Sequence, residues 1–205
     1  MLKLAIPILT LLLLCCGLAE QSAVAQSSSG VIITIGKEPK DSLKFTNNWA
    51  YPWWVTKDND GRFHKNTDGK ITKKDTSHLY FTAHCKTSVQ GGYDIRYCYA
   101  ERKANGVSLS FQDGEPAYAS EFNVSISNGK FSFTPKIIYP ELISGSKVVY
   151  KVTTSKLILY DTKYTTSKEI SGYVDAGFTE TAISRGQTEK HQYYFRGYFK
   201  TSVKS

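Results

Sequence analysis

The chain is poor in the residues that most often carry chemistry. Four cysteines, four histidines and one methionine are spread over 205 residues. Cys15 and Cys16 stand in an apolar N-terminal run, which leaves Cys85 and Cys98 in the body of the chain. Their separation matches no standard zinc-ligand spacing. No G-x-S-x-G, H-E-x-x-H or Walker sequence occurs. His78 and His84 share one face of an extended segment, but six residues at ~3.3 Å each put them about 20 Å apart, too far to act together. We therefore assign no catalytic residue, no metal ligand and no cofactor. Carboxylate pairs for glycoside hydrolysis need no proximity in sequence, so a secreted β-sandwich hydrolase acting on polysaccharide stays open.

Long apolar runs are missing as well, except at the start. "MLKLAIPILTLLLLCCGLAEQSAVAQ" has one positive charge, Lys3, then an apolar run from Leu4 to Cys16, then the small-residue site Ala23-Val24-Ala25. That order is a secretory signal peptide, residues 1–25, and the run is shorter than the about 20 residues that span a bilayer. A lipobox is poorly matched, because Leu14 precedes Cys15 and Cys15 precedes Cys16. The expected location is secreted, periplasmic or at the cell surface. Residues 26–30, "QSSSG", read as a flexible lead-in, and 31–205 as one β domain.

Charge is not scarce, and it is one-sided. The formal net charge is +8. For an exported monomer this favours a soluble basic surface, or attraction to anionic polysaccharide or another cell-surface component, over nucleic acid.

Amphipathic helices are absent and period-two alternation dominates from about residue 78. In "EFNVSISNGKFSFTP" the Asn128-Gly129 turn sets Ile126 opposite Phe131 and Val124 opposite Phe133, all on one face. Asn105-Gly106 reads as a second such turn before "VSLSF". Further strands are "GVIITIG", "KVVYKVT", "KLILYDT", "ISGYVDAGFTET" and "HQYYFRGYFKTSV". The expected fold is all-β: an antiparallel β-sandwich, or alternatively a small β-barrel. An outer-membrane barrel is a third reading, opposed by the many charges and the lack of a clear aromatic girdle.

Between the two body cysteines lies Gly91-Gly92. A two-residue turn there sets Cys85 opposite Cys98 as a non-hydrogen-bonded pair, whose ~4.5 Å Cα spacing admits a disulfide. Export supplies the oxidising setting. The expectation is a Cys85–Cys98 staple.

Two segments are candidate ligand sites. "NNWAYPWWV" holds Trp49, Tyr51, Trp53 and Trp54. Such rings either plug a core or form a platform for sugar rings. In the last strand Tyr194, Arg196 and Tyr198 share the face opposite Phe195 and Phe199, a pairing of aromatic with cation that suits an anionic ligand. The bland reading of the same face, a solvated sheet surface carrying cross-strand pairs with Tyr173 and Asp175, is the favoured one. "HKNTDGKITKKD", residues 64–75, resembles a calcium loop, but His64 stands where the first aspartate belongs and four lysines lie within it. The expected role is non-catalytic binding or surface structure.

Overall fold

The computed structural model describes residues 24–26, 30–50, 55–57, 59–60, 62–65, 71–72, 77–113, 120–138, 147–161 and 167–205. The strands run in chain order as β1 (Val24–Gln26), β2 (Val31–Ile32), β3 (Thr34–Ile35), β4 (Val55–Lys57), β5 (Phe63–Lys65), β6 (Ala83–Thr87) and β7 (Tyr93–Ile95). They continue as β8 (Tyr97–Lys103), β9 (Gly106–Gln112), β10 (Ser120–Ser127), β11 (Lys130–Ile137), β12 (Lys147–Leu159), β13 (Glu169–Ser184) and β14 (Gln187–Lys204). The described residues hold short 3-10 turns and no α-helix. Most of the strands belong to one sheet in the order β12-β13-β14-β8-β9-β10-β11-β2.

That sheet curls round until its ends nearly meet. The segment "GVIITIG" splits at Ile33: β2 pairs antiparallel with β11, and β3 pairs parallel with β12. The Ile33 N–H donates to the Gly129 carbonyl at 3.0 Å, so one short segment laces the two ends together. The architecture is thus a nearly closed barrel. The sandwich preferred from sequence gives way to the barrel alternative, because alternation marks which face is buried but not whether it faces a second sheet or its own continuation. Pro135, which has no N–H, lies on β11 beyond the two residues that β2 covers.

The interior is filled largely by phenylalanine. Phe122 stacks on Phe195 with centroids 4.4 Å apart and planes at 14°. Phe111 meets Phe195 edge-on at 5.1 Å and Phe199 at 5.4 Å. Phe133 lies 5.9 Å from Phe195 and 6.1 Å from Phe122. These rings come from β9, β10, β11 and β14 and are fully enclosed, as expected where a small barrel is just wide enough for side chains to fill it.

The β10–β11 hairpin has the register read from its sequence: Ile126 faces Phe131 and Val124 faces Phe133. Asn128 and Gly129 take φ of 51° and 70°, the backbone of a tight hairpin turn. The β8–β9 turn instead falls one residue earlier, with Lys103 opposite Gly106. Gly106 is needed for a different reason: a Cβ there would lie 1.7 Å from the Ile126 carbonyl oxygen of β10.

The cysteine hairpin exists, but its register is not the expected one. Thr87 pairs with Tyr93 and Cys85 with Ile95, leaving a five-residue loop, 88–92. Val89 tucks into the core, and Gln90, Gly91 and Gly92 all take positive φ to turn the chain around it. Burying an apolar side chain thus displaces the two-residue turn. Cys98 lies on the next strand, opposite Phe111. Cys85 and Cys98 are both free thiols, so the expected disulfide is not made. Burial pushes both thiols up, and Cys98 is raised further by the nearby Cys85.

At residues 24–26, expected to contain the cleavage point and the start of the lead-in, β1 pairs parallel with β12 through Val149–Lys151. Cleavage after Ala25 would take two of these three residues from the pairing.

β14 approaches β6 unusually closely at Gly197. There φ is 154°, and a Cβ would meet the His84 carbonyl oxygen at 2.2 Å and the Cys85 Cα at 2.4 Å. The obstacles are backbone, so no rotamer change relieves them. Gly197→Ala is expected to cost at least about 1–3 kcal/mol in a urea or thermal melt. Gly186→Ala, at a turn with open space around it, should cost about 1 kcal/mol from its φ of 77° alone. Equal losses at the two sites would contradict the close approach.

Candidate binding face on the barrel wall

Alternation along β14 sends Phe195, Gly197 and Phe199 inward, so Tyr194, Arg196 and Tyr198 must point outward. The neighbouring strands add their own outward residues in register. Tyr198 lies between Tyr173 of β13 and His84 of β6. Arg196 lies between Asp175 and Lys86. Tyr194 faces Gly177, which has no side chain to cover it. The result is an open depression of about 480 Å³ lined by His84, Lys86, Tyr173, Tyr194, Arg196 and Tyr198.

Local hydrogen bonds hold the upper edge of this face. The Tyr194 N–H donates to Ser88 Oγ at 3.0 Å, and the Thr87 hydroxyl donates to the Tyr194 carbonyl at 2.8 Å. β14 is therefore fixed at the residue that carries the ring. The Arg196 guanidinium sits over the Tyr194 ring, 4.4 Å from its centroid. Tyr173 and Tyr198 lean together at 5.0 Å with planes at 55°.

The charges form a rung across five strands: Lys156, Asp175, Arg196, Lys86 and Asp94. Each central cation has a carboxylate at long range. Arg196 Nε is 3.8 Å from Asp175, and Lys86 Nζ is 4.0 Å from Asp94. Such exposed pairs contribute about 0–1 kcal/mol. They leave Arg196 and Lys86, side by side, able to exchange these partners for a stronger anion.

Of the residues nominated from sequence, Tyr194, Arg196 and Tyr198 are brought together as one face. Trp49 is half-buried beside Tyr80, with which it forms an isolated β-bridge and a ring contact at 6.3 Å. Tyr51, Trp53 and Trp54 lie outside the described residues, as does most of the calcium-like loop. Phe45, in the turn just before Trp49, packs on His84 with centroids 6.0 Å apart, which brings that segment to the border of the depression. Sequence reasoning had found Tyr173 and Asp175 as partners but missed Lys86 and His84. Their place on β6 becomes visible only once β6 is known to pair with β14. No family model, curated protein or solved structure matches the chain.

Burial pushes Tyr160 up to about 12, helped by neighbouring Tyr198, Glu38 and Tyr173. Burial, then Asp175, also raises Tyr173. A raised phenol favours the fold fully below the ordinary tyrosine value of about 10 and loses that contribution as pH rises toward its folded value. Stability should therefore fall between about pH 10 and pH 12, with tyrosinate absorbance lagging behind that of the unfolded chain. Coincident titration of folded and unfolded protein would contradict this arrangement.

Proposed function

We propose that the chain is an exported β-barrel that binds an anionic ligand without catalysis, an acidic polysaccharide being the best fit, on the outer face of β6, β13 and β14. The observation that carries the reading is the placement of Arg196 and Lys86 side by side in an open depression between Tyr194 and Tyr198. The two cations would meet a carboxylate or sulfate, with the planar guanidinium able to engage it bidentately. Tyrosine faces would pack on the apolar side of a sugar ring. The net charge of +8 would steer such a polymer toward the surface from a distance.

Export is supported by Lys3, the run from Leu4 to Cys16 and the Ala23-Val24-Ala25 site. The charged rung argues for a wall facing water rather than lipid. Arg or Lys on the lipid face of a barrel costs about 2–4 kcal/mol at the bilayer midplane.

Arg196→Ala and Lys86→Ala should each weaken binding of an acidic polysaccharide about tenfold at low salt, equivalent to about 1.4 kcal/mol. Tyr194→Ala should weaken acidic and neutral glycans alike. Raising the salt should erase the effect of the cation variants. Calorimetric titration of the exported protein gives these values, and an affinity unchanged in both cation variants would overturn the proposal.

A further inference from the structure

The outward residues of the wall fall into rungs that cross the strands. The first rung alternates in sign, with Lys156 on β12, Asp175 on β13 and Arg196 on β14, followed by Lys86 and Asp94. The second holds no carboxylate, lysine or arginine. Ile158, Tyr173, Tyr198 and His84 stand side by side there on β12, β13, β14 and β6. Phe45 continues this row past His84. The third rung is polar again. The Tyr160 N–H donates to the Ser171 carbonyl at 3.0 Å, Ser171 pairs with Lys200, and the Lys200 N–H donates to the Thr82 carbonyl at 3.0 Å. None of the residues that line the depression is acidic.

An uncharged row thus crosses the wall between two polar edges. Each step along it is one strand, ~4.8 Å, close to the distance between successive rings of an extended β-1,4-linked glycan. Outward residues along a single strand are two residues apart at ~3.3 Å each. On β14 they alternate ring with charge, as Tyr194, Arg196, Tyr198 and Lys200. A glycan lying along β14 therefore falls out of step and meets a charge at every second outward residue. One lying across the strands keeps its rings on Tyr173, Tyr198 and His84.

The two edges select the ligand further. On the first, cations on β12 and β14 flank the carboxylate of Asp175 on β13. A glycan with an acid group on this edge at every sugar sets one of them against Asp175. One with an acid group here at every second sugar meets Lys156 and Arg196 and avoids it. The intervening acid groups then point to the opposite edge, over β13 and β6, on either side of Lys200. That lysine is held by Glu169 at 3.1 Å, a partly exposed pair of the weak kind. Alternating edges are what a β-1,4-linked polyuronate presents. Its equatorial linkages make a flat ribbon in which each ring is flipped relative to the last.

Resting on the assignment of this face to an acidic glycan, we propose that the ligand is a β-1,4-linked polyuronate lying across the strands. Its rings follow Tyr173, Tyr198 and His84, and its carboxylates turn by turn reach the Lys156–Arg196 edge and Lys200. An α-1,4-linked polyuronate of the same charge puckers at its axial linkages and cannot lay consecutive rings on the row.

The test titrates three hexamers calorimetrically into the protein: β-1,4-linked D-mannuronate, α-1,4-linked D-galacturonate and cellohexaose. The first has ribbon and charge, the second charge without ribbon, the third ribbon without charge. The mannuronate hexamer should bind about tenfold more tightly than either of the others. Lys200→Ala and Tyr198→Ala should each reduce its preference over galacturonate, whereas Tyr99→Ala, an exposed ring on β8, should leave it unchanged. Equal binding of the two acids, or tighter binding of galacturonate, overturns the ribbon and leaves the anionic wall face standing. A preference that survives in both Lys200→Ala and Tyr198→Ala overturns the path across the strands. Cellohexaose binding as tightly as the mannuronate hexamer, or neither acid binding, removes the wall-face reading as well.

Discussion

The stacking of Phe195 on Phe122 across the barrel fixes the register of β14, and nearly everything else follows from that register. β14 has Phe195 and Phe199 on one side and Tyr194, Arg196 and Tyr198 on the other. A slip of one residue would drive Arg196 into the phenylalanine cluster and expose two aromatic rings. Burying an unpaired guanidinium is far costlier than losing any contact on the outer face. The core therefore positions the candidate binding face from behind. Gly197 completes the constraint, since only a residue without Cβ lets β6 pair closely enough to set Lys86 beside Arg196.

Much of this could be read from the chain, and the reasons for the rest are specific. The β10–β11 register was legible because an Asn-Gly turn and uninterrupted alternation agree. The Tyr194, Arg196 and Tyr198 face was legible for the same reason, since alternation alone separates it from Phe195 and Phe199. The cysteine hairpin was misread because Val89 stands two residues before the Gly91-Gly92 pair. Turn chemistry favours a two-residue loop there, whereas burial of Val89 favours a longer one, and burial prevails. The Arg185-Gly186 turn went unnoticed because arginine is an uncommon residue at φ of 50°. The segment "AISRGQTEK", which falls between the two strands read from sequence, is the tip of a long ribbon. Barrel closure was not legible, because it depends on β2 and β3, two strands of two residues each, choosing different partners.

Arg196 and Lys86 lie side by side on the outer face of the wall, each half or more exposed. If that face meets water, two charges ~4 Å apart interact there by only a few kcal/mol before screening. Affinity for an anionic ligand would then have to come from repetition, as along a polymer that meets several cations and rings at once.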